Sequence, residues 1–404
     1  MIFNQASMAH WIKMKGKDVM PQLLIVLFSV FLNTALMAED PTVQAEAAET
    51  SLLFASPAER RVMFRSIAQI APSRKIEAGA SPYPLESKPM DLGDVTFALE
   101  GKKFTLSDFL TEDAVMGMIV VKDDNILLEH YAEDMTEESV WVSFSVTKSL
   151  SSMLIGAAIQ DGYIQSVDEP VVHYLPRLRG TSYENSTIRH VLNMASGVRW
   201  NEDYADPESD VSKAGADNGL TLVSYLADLP IDAEPGKKFN YNTGETNLVG
   251  EILRSAIGNN ASTYLTHKIW QPFGMEFDAN WMLGVAGGGE LGGCCISATL
   301  RDYARLGVFA LNDGQLRDGT RVLPENWMHD STTPSEGYEG YGYLWWLFDP
   351  GYSALGIFGQ RIQVFPDDGI VIAVQSNATA AVDTLYHAHQ HLVVNAIRDH
   401  LLAD

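Results

Sequence analysis

The chain has 404 residues, of which 46% are hydrophobic and 20% charged, so it has enough apolar material for a large folded core. Its 28 Lys and Arg against 52 Asp and Glu give a net charge of −24. Such an excess of negative charge repels phosphate backbones and argues against nucleic-acid binding. The length allows two to three domains, or one large domain with an insertion.

The only cysteines, Cys294 and Cys295, are adjacent. Adjacent cysteines provide neither a disulfide framework nor a C-x-x-C zinc pattern. We interpret them as two small buried residues.

The N-terminus has the pattern of a secretory signal peptide. Lysines at 13, 15 and 17 precede an apolar run from Leu23 to Leu36, and the small residue Ala38 closes the run before two acidic residues. The run is shorter than the roughly 20 residues that a membrane-spanning helix needs, which disfavours an uncleaved anchor. We therefore predict a signal peptide over residues 1–38 and a periplasmic or secreted mature protein without a stable membrane anchor.

Residues 39–90 are rich in Ala, Glu, Ser and Pro and show weak periodicity. We interpret them as a leader that wraps the outside of one folded domain spanning residues 91–404.

That domain begins with a predicted hairpin, Met116–Val121 and Ile126–Tyr131, in which two apolar β-type runs flank a short polar turn. Next, apolar residues spaced by three and four predict a helix that opens at Ser143–Lys148 and ends at Asp161–Gly162.

Residues 163–285 mix short helical patterns with loops and are predicted to form a mostly helical inserted subdomain. Ser186 or Thr187 caps one predicted helix, which ends at Ser196–Gly197. Two more helices are predicted further on, at Glu245–Ile257 and Ser297–Leu311.

The last third of the chain is predicted to be mainly β, closed by a long helix from about Asp383 to Leu402. Strands at both ends of the chain with helices between them predict an α/β (α+β) domain whose sheet is interrupted by the helical insertion. The predicted C-terminal strands are Tyr341–Phe348, Tyr352–Phe358, Arg361–Phe365 and Ile370–Gln375.

Ser145 and Lys148 form an S-x-x-K motif at the start of the first predicted helix. A spacing of three places both side chains on one helix face. A serine hydroxyl needs a neighbouring base to become a nucleophile, and a lysine serves if burial and nearby positive charge favour its neutral form. The helix N-terminus also directs free N–H groups at developing negative charge.

Other catalytic and metal-binding templates fit poorly. The chain contains neither G-x-S-x-G nor H-E-x-x-H. His387, His389 and His391 are close in sequence, but a solvated terminal helix explains them better than a metal site does. We predict no metal and no organic cofactor.

The segment Trp141–Ser149 (Trp-Val-Ser-Phe-Ser-Val-Thr-Lys-Ser) resembles the nucleophile segment of the serine β-lactamase-related family, and three later segments match in order: Thr187–Trp200, Pro235–Gly250 and Ala298–Gly307. The family includes class C β-lactamases, family VIII esterases, D-alanyl-D-alanine carboxypeptidases and nylon-oligomer (6-aminohexanoate-dimer) hydrolases. The resemblance implies the β-lactamase/transpeptidase-like fold, an antiparallel sheet flanked by helices.

The resemblance assigns Tyr241 to the family's second motif, Y-x-N, where a tyrosine relays a proton between the nucleophile, the lysine and the leaving group. The physical argument is that a phenolate is favoured beside a lysine ammonium. Thr243 departs from the family pattern, because β-lactamases carry asparagine there. This departure puts recognition of a β-lactam's side-chain amide in doubt.

The third motif, K-T-G or H-T-G in the family, falls on Ala354–Gly356. Gly356 keeps the close backbone approach that glycine allows, and the N–H of Ile357 would join that of Ser145 in an oxyanion hole. The usual cation is missing at the first position. Arg361 is near in sequence, but its direction is left open.

Two segments, the one around Gly359 and the loop Trp200–Asp210, are closer to the nylon-oligomer hydrolases, and Tyr204 in that loop is a candidate for capping the substrate. We expect an exported serine hydrolase whose partner is a small amide or ester. The alternatives are a β-lactamase or D-alanyl-D-alanine carboxypeptidase, and a binding module that is acylated without turnover, like a penicillin sensor. The oligomeric state is left open.

Overall fold

The computed structural model describes residues 52–215 and 222–403. The predicted signal peptide, residues 1–38, and the first part of the predicted leader lie outside these ranges. Thirteen strands are found in the described part. They are β1 Ser73–Ile76, β2 Glu86–Ser87, β3 Thr96–Leu99, β4 Lys102–Thr105, β5 Val115–Lys122, β6 Asn125–Tyr131, β7 Val140–Val142, β8 Ala279–Met282, β9 Ile296–Thr299, β10 Trp346–Phe348, β11 Gly351–Gly356, β12 Gln360–Phe365 and β13 Ile370–Ser376.

Helices separate the two groups of strands and also close the chain. None of the helices in the described ranges has both the length and the apolar character needed to cross a membrane. A π-helical stretch covers Thr266–Gly274. The α-helices are α1 Pro57–Met63, α2 Ile67–Ile70, α3 Leu106–Leu110, α4 Val146–Gln160, α5 Val171–Tyr174, α6 Ile188–Leu192, α7 Asp210–Gly215, α8 Leu222–Ala227, α9 Thr243–Ile257, α10 Ala261–Leu265, α11 Leu300–Leu311, α12 Trp327–Ser331 and α13 Thr384–Ala403.

Seven strands form the main sheet, in the order β10–β11–β12–β13–β5–β6–β2. Neighbours are antiparallel except β2 with β6. Helix α11 packs on one face of this sheet, and α13 covers the other face together with β3. Because both faces are covered, β12 and β13 are buried along their whole lengths, and β13 accordingly has a continuous apolar run over residues 370–374. The predicted antiparallel, helix-flanked fold is confirmed.

The predicted outer leader is partly built into the domain, which corrects the sequence interpretation. Strand β1 pairs with β8 at the edge of a second sheet, ordered β1–β8–β9–β7. Phe64 is fully buried against the rings of Trp141 and Phe144. Arg60 is also buried, and its Nε donates to Oδ1 of Asn377 at 3.1 Å. The segment therefore packs behind the start of helix α4.

Three predicted boundaries were wrong. The helix predicted from Ser297 begins at Leu300, because the residues before it pair as β9 and Thr299 caps the helix. The strand predicted from Tyr341 is formed only over Trp346–Phe348, after a turn in which Leu344 adopts a φ of 61°. The helix capped by Thr187 was correctly started but ends at Leu192, before the predicted Ser196.

Of the three clustered histidines of α13, His389 lies in the core rather than in solvent, contrary to the sequence interpretation, whereas His387 and His391 are partly exposed. His389 is buried against the rings of Phe97 and Phe104, and its Nδ1 lies 2.5 Å from a carboxylate oxygen of Glu112. This helix face is part of the core because it packs against the β3–β4 hairpin.

Candidate active site

Ser145 stands at the N-terminal end of α4, directly after the short strand β7. The turn before it is tight, with Phe144 at a φ of 45°. Ser143 holds this turn: its Oγ lies 2.7 Å from Oγ1 of Thr147 and accepts the N–H of Ile296 at 2.9 Å. The turn thus fixes Ser145 where the second sheet meets the helix.

Lys148 lies one helical turn after Ser145 and is 1% exposed. Its Nζ donates to Oγ of Ser145 at 3.0 Å and to the carbonyl oxygen of Gly293 at 2.8 Å. Burial lowers the pKa of Lys148 from 10.5 to about 8, while the carboxylate of Glu202 acts in the opposite direction. Burial thus favours the neutral amine, as the sequence argument requires. The charge that acts on it, however, is negative rather than positive.

Gly293 is a site residue that sequence analysis missed. A Cβ at this position would lie 3.2 Å from Nζ of Lys148 and 3.1 Å from the methyl carbon of Thr243. Glycine therefore lets the backbone carbonyl approach the amine closely. No local pattern points to this contact, because Gly293 and Lys148 are 145 positions apart.

Tyr241 lies two residues before the start of α9, and its ring is near Lys148. Its ring centroid lies 5.5 Å from Nζ of Lys148, and it stacks on Trp346 with a centroid separation of 5.5 Å. Burial raises the pKa of Tyr241, and the Glu202 carboxylate raises it further, whereas Ser145 lowers it. The phenol is therefore neutral in the resting site. The expectation of a favoured phenolate was wrong, because burial and a nearby negative charge both oppose it.

Gly356 lies against the turn that precedes Ser145. A Cβ on it would come within 2.5 Å of the carbonyl oxygen of Ser143, so a larger residue would push β11 away. The next residue, Ile357, lines the same cavity as Ser145. Ala354 is buried and supplies no cation. Strand β11 therefore lies as close to the Ser143 carbonyl as expected of the third motif, but it lacks the positive charge of that motif's first residue.

Arg361 does not replace that missing cation. It is 3% exposed, and its Nη1 donates to Oε1 of Gln363 at 3.2 Å. Burial lowers its pKa to about 10, and its charge lowers the pKa values of His387 and His391 on α13. Arg361 therefore belongs to the sheet face under α13 and does not line the cavity beside Ser145.

Thr243 and Tyr204 both bind a carboxylate that sequence analysis did not single out. The hydroxyl of Tyr204 donates to Oε1 of Glu202 at 2.6 Å, and the N–H of Thr243 donates to Oε2 at 3.0 Å. The hydroxyl oxygens of Tyr204 and Thr243 are 3.5 Å apart. The only sequence feature that pointed to Glu202 was its place in the loop Trp200–Asp210, which resembles the nylon-oligomer hydrolases.

A cavity of about 110 Å³ opens beside Ser145. None of the described residues that line it carries a charged side chain. The leader contributes Leu52 and Leu53. Its other lining residues are Phe144, Trp200, Tyr204, Val211, Ala214, Leu222, Thr243, Gly244, Asn247, Met282, Leu283, Gly284, Leu291, Gly293, Cys294, Cys295 and Ile357.

Of the two cysteines, Cys295 is buried as expected, whereas Cys294 is only half-buried. Both line the cavity beside Ser145. Within residues 52–215 and 222–403, no three His, Cys, Asp or Glu side chains gather in a way that could hold a metal ion.

Comparison with known proteins adds a family match. The Beta-lactamase family model matches residues 108–396. Over 297 residues the chain is 27% identical to the 6-aminohexanoate-dimer hydrolase of Paenarthrobacter ureafaciens, covering 67% of this chain and 75% of that protein. It is also 24% identical over 297 residues to penicillin-binding protein 4 of Amycolatopsis lactamdurans, covering 61% and 74% of the two chains.

Two solved structures show the same fold. A Bacillus anthracis protein provisionally described as a 6-aminohexanoate-dimer hydrolase superposes with a TM-score of 0.76 at 20% identity, covering 85% of this chain and 95% of that one. A family VIII carboxylesterase gives a TM-score of 0.55 at 14% identity, covering 72% and 96% of the two chains. At these identities the likeness concerns the arrangement of helices and strands.

Proposed function

The chain belongs to the β-lactamase family of serine hydrolases, and we propose that it cleaves ester and linear amide bonds through an acyl-enzyme on Ser145. The observation that carries this proposal is the contact of 3.0 Å between the buried amine of Lys148 and Oγ of Ser145, which lines a cavity whose described lining residues are all uncharged. A buried amine with a pKa of about 8 is able to take a proton from the hydroxyl that it contacts.

In the proposed acylation step, neutral Lys148 accepts the proton of Ser145 while Oγ forms a bond to the substrate carbonyl carbon. The N–H groups of Ser145 and Ile357 hold the resulting oxyanion. When the C–O or C–N bond breaks, the leaving group takes the phenol proton of Tyr241, and the ammonium of Lys148 returns a proton to Tyr241. Deacylation repeats these transfers with water as the nucleophile.

The site favours esters and linear amides over β-lactams. Neither Ala354 nor the described residues that line the cavity offer a cation to a substrate carboxylate, and Arg361 lies under α13. Thr243 is held by Glu202 instead of presenting an amide. The similarity to the hydrolase of Paenarthrobacter ureafaciens supports the same choice.

We expect kcat/KM for a nitrophenyl butyrate ester to exceed that for a chromogenic cephalosporin on the same preparation. A charge-assisted hydrogen bond contributes roughly 1.5–3 kcal/mol, so the absent cation lowers cephalosporin efficiency by about ten- to a hundredfold. The activated ester needs no such contact. A ratio well below one would contradict this substrate assignment, and Arg361→Ala would then show whether that arginine binds the cephalosporin after all.

The second candidate, a sensor that is acylated without turnover, rests on the similarity to penicillin-binding protein 4. The same ester assay separates the two. Many turnovers per Ser145 support the hydrolase, whereas a single burst followed by a stable adduct supports the sensor.

We also propose export of the protein, supported by the lysines and apolar run that precede Ala38. Expression of the full chain in a bacterial host should yield a periplasmic protein whose intact mass corresponds to a start near Glu39. A cytoplasmic product that retains residue 1 would contradict export.

A further inference from the structure

Glu202 lies in the loop Trp200–Asp210, between the cavity-lining residues Trp200 and Tyr204. Besides the hydrogen bonds from Tyr204 and from the backbone of Thr243, its carboxylate accepts hydrogen bonds from Oγ1 of Thr243 and from the indole nitrogen of Trp200. Four donors from three residues fix this carboxylate. These hydrogen bonds hold the Glu202 side chain in one position.

These donors connect two elements that are distant in sequence. Trp200 and Tyr204 belong to the loop after α6, whereas Thr243 is the first residue of α9, a helix of 15 residues. A carboxylate that accepts the first N–H of a helix also interacts favourably with the partial positive charge of its N-terminus. Glu202 thus ties the loop to the helix that follows Tyr241.

The same carboxylate acts on the proposed catalytic groups through its charge. It raises the pKa of Lys148, against the effect of burial, and it raises the pKa of Tyr241. Glu202 is the only charged side chain that contributes to either shift among the described residues. Tyr341, whose ring packs edge-on against Tyr241, responds to Glu202 in the same direction.

This charge matters to a base that is fully buried. Burial alone makes Lys148 easier to deprotonate but also a weaker proton acceptor, and proton transfer is efficient when the acceptor's pKa lies near the working pH. A negative charge nearby restores part of the amine's proton affinity. It also keeps the phenol proton on Tyr241, where the leaving group needs it.

Resting on the proposed function above, we propose that Glu202 is a positioning residue for this reaction: its fixed carboxylate holds Tyr204 and Thr243 at the cavity, and its negative charge acts on Lys148 and Tyr241. It touches neither the proposed nucleophile nor the reacting carbonyl. None of the sequence motifs includes Glu202.

The test compares the pH dependence of kcat/KM for the butyrate ester in the wild-type protein and in Glu202→Gln. The substitution keeps the shape of the side chain and removes its charge. We expect the acidic limb of the profile to move to lower pH by about half a unit or more, because less proton affinity remains on Lys148. The plateau rate should fall by no more than the same factor, about threefold for half a unit, since the weaker base accepts the proton of Ser145 less readily.

Two control variants separate charge from structure. Glu208→Gln removes an exposed carboxylate of the same loop that pairs with Lys213, and it should leave both limb and plateau unchanged. Tyr204→Phe removes one hydrogen bond to Glu202 without changing a charge, so the limb should stay in place even if the rate falls. An unmoved limb in Glu202→Gln, whatever its rate, would overturn the inference.

If Glu202→Gln does not fold, Glu202→Asp takes its place. This variant keeps the charge but withdraws it by one carbon–carbon bond, so the limb should move in the same direction by less, and no movement would again overturn the inference. Labelling of Ser145 by a fluorophosphonate, measured across the same pH range, distinguishes the two proposals. Absence of labelling in the wild-type protein refutes the proposed function, whereas labelling with an identical limb in the variant refutes the role of Glu202 alone.

Discussion

Replacing Ser145 with alanine should abolish ester turnover and fluorophosphonate labelling while leaving the fold intact. Oγ of Ser145 is the atom that Lys148 contacts, and nearby serines do not substitute for it. Ser143 is bound within its turn, and Ser149 donates to the carbonyl oxygen of Leu344 at 2.6 Å. We expect a loss of at least about 10⁴-fold in kcat/KM, the scale seen when a catalytic nucleophile is removed.

The fold should tolerate Ser145→Ala because the Ser145 side chain makes no capping hydrogen bond to α4. The thermal unfolding midpoint therefore serves as the internal check. Ser107→Ala, at an exposed position on α3, is the matched control and should keep full activity and labelling. Labelling that persists at the wild-type rate in Ser145→Ala would place the nucleophile elsewhere.

Replacing Lys148 with alanine should lower kcat/KM by several orders of magnitude, because nucleophile and base act as a unit. The wild-type profile should rise with pH. Below a pKa of about 8 the amine is protonated and cannot accept the proton of Ser145, and above it the neutral base predominates. The midpoint of the acidic limb is therefore expected near pH 8, and this limb should vanish in Lys148→Ala.

The control for this charge change is Lys213→Ala, at an exposed lysine that pairs with Glu208. It should leave both rate and profile as in the wild-type protein. Stopped assays from pH 5 to 10 with the butyrate ester are sufficient for the comparison. A Lys148→Ala variant with a wild-type rate at pH 7 would exclude lysine as the base.

Part of the site could be predicted because its chemistry is local in sequence. Ser145 and Lys148 share a helix, so their spacing alone places them on one face. Tyr241 and Gly356 needed the family likeness, since nothing near them in sequence indicates that they meet Ser145. Lys148 also contacts Gly293, through a backbone carbonyl that any residue type possesses, and a sequence pattern therefore carries no signal for that contact.

The strands and helices, too, could be predicted only in part. Strand β13 was predicted because burial on both faces leaves a long apolar run, whereas β12 is equally buried but carries two glutamines and one arginine among its six residues. Strand β1 was missed because Ser-Arg-Lys-Ile is short and polar, as expected at a sheet edge. The start of α11 was misplaced because strand β9 and the helix are both buried, so hydrophobicity does not change at their junction.

The order of strands in the main sheet also constrains how the protein folds. Central strand β5 lies between β6, its neighbour in sequence, and β13, which follows some 250 residues later. Pairing so distant in sequence requires a large loop to close first, which slows folding. The sheet that carries Gly356 cannot be completed until almost the whole chain has left the ribosome. Ser145 and Lys148 are synthesised early, but the cavity beside them also needs Ile357, which follows some 210 residues later.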